Sequence, residues 1–233
     1  MTENSPSPDI YPAMTLGQTW TKALSQPNEG AYREIVHDPG ASLGKAVLWL
    51  ASTAFFGSLL SGIATWLFSS SYQDQISRYF NLEFALRSFG IVNVVVTTIF
   101  YFLAAIIGTF IIIGIVQLIA KMLGGTGSFE QLIYAVAAYQ SPLQLGILVL
   151  GSIPYISCLV PFLVIYTFIL NVIANKAVHQ YDTGKAIISS LAPWLLVFLF
   201  CCCFFVIVAI TGSAILGPSV QNVFDSIQSS LMP

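Results

Sequence analysis

The sequence predicts an all-α integral membrane protein, a helical bundle with five transmembrane helices, and three observations carry that prediction. Of its 233 residues, 56% are hydrophobic and only 8% are charged, against about 25% charged in an average soluble domain. Four long runs, Ala46–Gln73, Ser88–Ala120, Gln131–Asn175 and Ala186–Phe224, contain no Asp, Glu, Lys or Arg. A helix crosses a bilayer core with about 20 apolar residues, so each run holds at least one span. The few basic residues fall between these runs in an uneven pattern that fixes an orientation.

Residues 1–43 form a polar, proline-spotted segment (Pro6, Pro8, Pro12). It lacks the basic start, apolar centre and small-residue cleavage site of a secretory signal, and is expected to stay in the mature protein. Within it Leu16, Trp20, Ala23 and Leu24 share one helical face that Pro27 ends, and Tyr32, Ile35 and Val36 share another before Asp38-Pro39. Both short amphipathic helices are expected on the inner leaflet.

Residues 44–214 form the five-span membrane domain. Span one is Ala46 to about Phe68, with Trp49 and Trp66 near its ends where interfacial indoles sit. Span two is a single long helix, tilted or surface-extended, within Ser88–Ala120. The third run accommodates two crossings, Leu132–Leu150 and Tyr155–Asn175, with Gly151, Ser152 and Pro154 as the turn. Span five, Ala186–Ala214, is expected to stop at Gly217-Pro218. Residues 215–233 are then a short tail on the opposite side, with Val220, Val223, Phe224, Ile227 and Leu231 as an apolar stripe.

With five crossings, Lys22, Arg33, Lys45, Lys121, Lys176 and Lys185 lie on one side and Arg78 and Arg87 on the other. The basic side is cytoplasmic, so the N-terminus is predicted inside and the C-terminus outside. A net charge of −2 and a pI near 5.5 give no basic field for nucleic acid. No carboxylate, lysine, arginine or histidine falls within a predicted span, which disfavours proton-coupled or ion-coupled transport and intramembrane catalysis. No cofactor or metal set is expected either. Cys201, Cys202 and Cys203 are consecutive on a helix, so their thiols point about 100° apart and cannot converge on one ion. Together with Cys158 they read as apolar filler.

Neutral polarity is plentiful inside the spans: Asn93, Thr97 and Thr98 in the second; Tyr139, Gln140, Ser141 and Gln144 in the third; Asn171 and Asn175 in the fourth. Gln140/Gln144 and Asn171/Asn175 are i, i+4 pairs, each on one helical face, where amides are expected to hydrogen-bond between helices. Pro142 should kink the third span by depriving the Ala138 carbonyl of its donor, with Gln140 and Ser141 close by to satisfy it. Small residues one turn apart, Gly57 with Ser61, Ser58 with Gly62 and Ala104 with Gly108, predict close helix packing.

Two loops stand out. One reads Leu123-Gly124-Gly125-Thr126-Gly127-Ser128-Phe129-Glu130-Gln131, followed after one helical stretch by Ala138-Tyr139-Gln140-Ser141-Pro142; the other reads Val178-His179-Gln180-Tyr181-Asp182-Thr183-Gly184-Lys185-Ala186. The glycine run lacks the Gly-Lys-Ser/Thr ending of a phosphate loop and reads as a turn. His179 and Asp182 have no nucleophile or ligand set beside them and read as a solvated loop.

With five hydrophobic segments and an amphiphilic N-terminal region, these motifs make the chain resemble the Yip-one (Ypt/Rab-interacting protein) domain family from about Thr15 to Ala214. In eukaryotes that family comprises multispan proteins of the early secretory pathway that interact with Rab-type GTPases and with one another. This chain lacks their long N-terminal domain and is more similar to the compact bacterial and archaeal members, which implies a multi-pass protein of a prokaryotic plasma membrane. The resemblance implies a non-enzymatic scaffold or adaptor, in membrane organisation or trafficking, whose cytoplasmic face binds a protein partner. Gly124, Gly125, Phe129, His179, Thr183 and Lys185 are its candidate contacts, and a homo-oligomer is compatible with it. The alternative is a small-solute or ion permeation protein using the polar residues Tyr139 to Gln144, Asn171 and Asn175.

Overall fold

A computed structural model describes residues 13–68 and 91–231. Among them every regular element is helical: α1 (Leu16–Ser25), α2 (Glu29–Val36), α3 (Leu43–Leu67), α4 (Ile91–Met122), α5 (Phe129–Gly151), a 3-10 turn (Ile156–Leu159), α6 (Val160–His179) and α7 (Thr183–Leu231). Among the described residues, five stretches are long and apolar enough to cross a membrane: Leu43–Leu67, Val94–Met122, Phe129–Gly151, Ile156–His179 and Thr183–Val208. The chain is an integral, multi-pass membrane protein. Arg78, Arg87 and the N-terminal prolines lie outside the described residues, as do the side chains of Asn93 and of the C-terminal stripe.

Local chemistry sets the helix boundaries. Thr15 opens α1 with a capping box, its hydroxyl accepting from the Gln18 N–H while Gln18 Oε1 accepts from the Thr15 N–H, and Ser128 with Gln131 does the same for α5. Asn28 and Ser42 cap α2 and α3. Between α5 and α6 the chain turns through Gly151–Tyr155, where expected, with Tyr155 at φ 68°. The expected stop at Gly217-Pro218 is not made: α7 continues through both to Leu231. α5 likewise carries Pro142 without breaking, because one missing N–H bends a helix whose neighbours keep their own bonds.

The chain divides into two compact units at Ser190, part-way along α7. In the first, α5 is the central helix, touching α1, α2, α3, α4 and α6. Its eight consecutive residues Leu132 to Tyr139 are all buried, and the alanines at 135, 137 and 138 let neighbours approach on every side. Gly57 lets α3 close on α5, since a Cβ there would meet Leu148 Cδ1 at 2.9 Å. Gly62 faces Val94 and Thr98 of α4, and the Ser61 and Ser152 hydroxyls hydrogen-bond to each other. The Ala104/Gly108 pair is not used in this way, for Gly108 has nothing within 4 Å of its Cβ position. Trp49 is a core residue instead of an interfacial anchor, buried against Trp20 at 6.3 Å and Tyr134 at 5.2 Å between centroids. Trp66 is exposed, as an anchor should be.

α1 and α2 pack on the bundle: Ala23, Ala31, Tyr32, Ile35 and Val36 are buried against it, while Leu16 at the start of α1 stays exposed. The Tyr32 hydroxyl donates to the Ala23 carbonyl at 3.1 Å, closing the hairpin on itself, and Tyr166 of α6 donates to the Leu24 carbonyl. Lys176 of α6 reaches Glu29 at 3.1 Å, Glu29 pairs with Arg33, and Lys22 pairs with Glu34. In the second unit α7 presents an apolar row including Trp194, Phe198 and Phe205, with Cys201, Cys202 and Cys203 all exposed.

Candidate functional site

The two motif loops, more than 50 residues apart in sequence, meet at one end of the bundle. α4 ends in a Schellman motif: Gly124, at φ +90°, donates to the Lys121 carbonyl at 3.1 Å and Gly125 to the Ala120 carbonyl at 2.8 Å. The chain then lies against the end of α6. Thr126 donates to the His179 carbonyl from its N–H at 3.3 Å and from its hydroxyl at 3.4 Å. Gly125 and Gly127 are buried because nothing larger fits: a Cβ on Gly125 would lie 2.6 Å from His179 Nδ1, and one on Gly127 would lie 2.5 Å from the Val178 carbonyl oxygen. From α4, Gln117 Nε2 and Lys121 Nζ donate to the Gly127 and Thr126 carbonyls, each at 3.1 Å.

His179 is buried under this loop, its ring 5.5 Å from that of Tyr181. Neither ring nitrogen has a hydrogen-bond partner among the described residues, nor does Gln117 Oε1. Asp182 does not orient His179: its carboxylate accepts the Gly184 N–H at 2.8 Å, at the start of α7. Phe129 is half-buried against Phe110, with ring centroids 6.5 Å apart. Gly124, Thr183 and Lys185 are exposed. Of the six candidate contacts, Gly125, Phe129 and His179 hold the two loops in place and the other three face outward.

Beside the glycine loop a cleft of about 420 Å³ opens, lined by His37, Asp38, Thr126, Ser128, Glu130 and Tyr134 among others. Its walls are pinned by Asp38, whose carboxylate accepts from the Met14 and Gly40 N–H groups and the Tyr134 hydroxyl, and by Glu130, which accepts the Leu43 N–H at 2.9 Å.

The intramembrane candidates form interhelical bonds. Gln140 Nε2 donates to Thr109 Oγ1 of α4 at 2.9 Å instead of serving the carbonyl freed by Pro142. Asn175 Nδ2 donates to Ser189 at 2.6 Å and Ser190 at 3.2 Å, and Ser190 donates to Asn171 Oδ1 at 3.1 Å. Tyr181 joins Ser189 at 2.6 Å, so the second loop is tied to this cluster. Burial pushes the Tyr181 hydroxyl above the ordinary tyrosine value, with the Ser189 bond acting the other way. Ser141 and Tyr139 are buried, and neither hydroxyl has a hydrogen bond by geometry among the described residues. Gln144 is half-buried. Thr109, Gln117, Ser189 and Ser190 were not singled out by sequence; the adjacent serines one turn past Lys185 were the only local signal. No three His, Cys, Asp or Glu side chains gather among the described residues.

A family model, that of the Yip1 domain, matches residues 22–205. The chain belongs to the Yip1 family. No curated protein and no solved structure matches it. The Yip1 match takes in both motif loops, α2, the first four spanning helices and α7 as far as residue 205, so the meeting of the loops lies within the family's domain.

Proposed function

We propose that this Yip1 protein is a non-enzymatic membrane scaffold that binds a protein partner at the cytoplasmic end of its bundle. The observation that carries the reading is the cleft beside the glycine loop, whose polar rim (Thr126, Ser128, Glu130) continues into exposed Lys121 on one side of a loop clamped to α6. Such a surface is pre-organised by buried glycines and hydrogen bonds and offers a partner polar groups on a fixed backbone. Thr183 and Lys185 are outward-facing contacts from the second loop. The basic residues support the cytoplasmic assignment, since Lys45, Lys121, Lys176 and Lys185 mark this end of α3, α4, α6 and α7.

The test compares the chain purified in mild detergent with Ser128→Arg and Thr183→Ala/Lys185→Ala variants. A partner that co-purifies stoichiometrically with the parent should be lost from these variants and kept by Leu48→Ala, a change on the exposed face of α3. Retention by all of them sinks the proposal. The permeation alternative relies on amides that are bonded to Thr109, Ser189 and Ser190; solute flux in liposomes that collapses on Asn171→Leu would restore it.

A further inference from the structure

The α1–α2 hairpin contacts the middle of two spanning stretches, at Tyr166 of Ile156–His179 and Tyr139 of Phe129–Gly151, and not their ends. Lys45, Lys121, Lys176 and Lys185 mark one end of α3, α4, α6 and α7. Lipid-facing apolar side chains begin within one turn of three of them: Leu48 is 65% exposed, Leu118 63% and Ile188 56%. Tyr166, which bonds the Leu24 carbonyl, is ten residues from Lys176 along α6. At 1.5 Å per residue that is about 15 Å, half of the roughly 30 Å hydrocarbon thickness. On α5, Tyr139 lies near the middle of the spanning stretch Phe129–Gly151, and its ring meets that of Tyr32 at 6.2 Å.

What the hairpin shows to the outside at that depth is polar. Thr21, Ser25, Gln26 and Asn28 are exposed, and Lys22, Glu29, Arg33 and Glu34 are partly exposed in ion pairs. Ala23, Ala31, Tyr32, Ile35 and Val36 point the other way, and Trp20 and Leu24 are half-buried; Leu16, at the start of α1, is exposed. Four charges and a non-helical turn facing lipid chains would cost far more than deforming the bilayer, whose mismatch penalty per ångström is small. Charges of both signs also match the phosphate and amine of a zwitterionic headgroup.

We propose that the outer face of the α1–α2 hairpin binds phospholipid headgroups, drawing them and water down one side of the bundle toward the bilayer midplane and thinning the leaflet there. The inference is independent of partner binding at the cleft. It assigns to the N-terminal helices a local deformation of the membrane, deepest at the Ser25–Asn28 turn.

The full chain, with Cys158, Cys201, Cys202 and Cys203 replaced by Ala, is placed in phosphatidylcholine vesicles with one reporter cysteine. Ser25→Cys or Gln26→Cys reports the turn and Leu48→Cys the opposite case. A charged methanethiosulfonate supplied to both vesicle faces should modify the turn at least tenfold faster than Leu48→Cys, although the turn lies deeper along the bundle. A fluorophore on the turn should be quenched more by headgroup-spin-labelled lipid than by lipid labelled at mid-chain, and one at Leu48→Cys the reverse. Equal reactivity at both positions, mid-chain quenching of the turn, or a turn that is neither reactive nor quenched overturns the proposal.

Discussion

Gly125 and Gly127 have no room for a methyl group, and that shortage is what joins the two loops. An added Cβ would meet His179 Nδ1 at 2.6 Å and the Val178 carbonyl oxygen at 2.5 Å, contacts that only a backbone shift relieves. Gly125→Ala and Gly127→Ala should each cost about 1–3 kcal/mol, read as a lower midpoint of thermal aggregation in detergent. Gly17→Ala, in the open on α1 with nothing within 4 Å, should be neutral or raise it, because alanine favours helix. A Gly127→Ala protein as stable as the parent contradicts the clamp. Sequence reading recognised this stretch as a turn, but His179 is far along the chain and no local pattern announces which helix end a glycine must touch. The burial of His179 was hidden for the same reason: a histidine between polar residues reads as solvated until its cover is known.

At the scale of elements, the spanning helices were legible because lipid demands long uncharged runs, and a 32-residue α4 followed from a 33-residue run. The faces were less legible. Trp49 read as an interfacial anchor and is core, since the helix that covers it, α1, comes from a segment whose amphipathic pattern suits lipid and protein equally. The interhelical amide bonds were foreseen in kind but not in partner. Gln140→Leu should remove the Thr109 bond and cost about 0.6–2 kcal/mol, checked by the same thermal midpoint; an unchanged midpoint would mean the bond contributes nothing.

The seating of α2 depends on pH. Burial works against the Glu29 carboxylate, but bonds from Lys176 and Arg33 outweigh it and hold its pKa below the ordinary glutamate value. A carboxylate depressed in the folded state stabilises fully above its unfolded pKa and ceases to as pH falls through the folded one. Hydrogen exchange in α2 should therefore accelerate selectively as pH drops from 6 to below 4, after correction for intrinsic rates. Glu29→Gln should already exchange faster at pH 6 and lose much of that dependence. Equal pH dependence in both proteins would assign the seat to Tyr32 and Ile35 packing alone.

For the molecule as a whole, the sequence specified five crossings but not sidedness beyond the basic bias, and its expected end for span five was overrun by α7. Helix stop signals are weights against continuation, and an apolar helix carries one proline at the loss of a single bond. Reporter fusions should place Gly125 and His179 inside and positions near Arg78 and Leu231 outside; a cytoplasmic Leu231 would overturn the five-span topology.

The docking of Leu24 onto Tyr166, 142 residues apart, orders the protein's birth. At about 5–20 residues per second the ribosome needs roughly 7–30 s to make the seat after the hairpin has emerged. Seats on α3 and α5, where Trp20 meets Trp49 and Tyr32 meets Tyr139, are made before Tyr166, so the contact with α6 closes last.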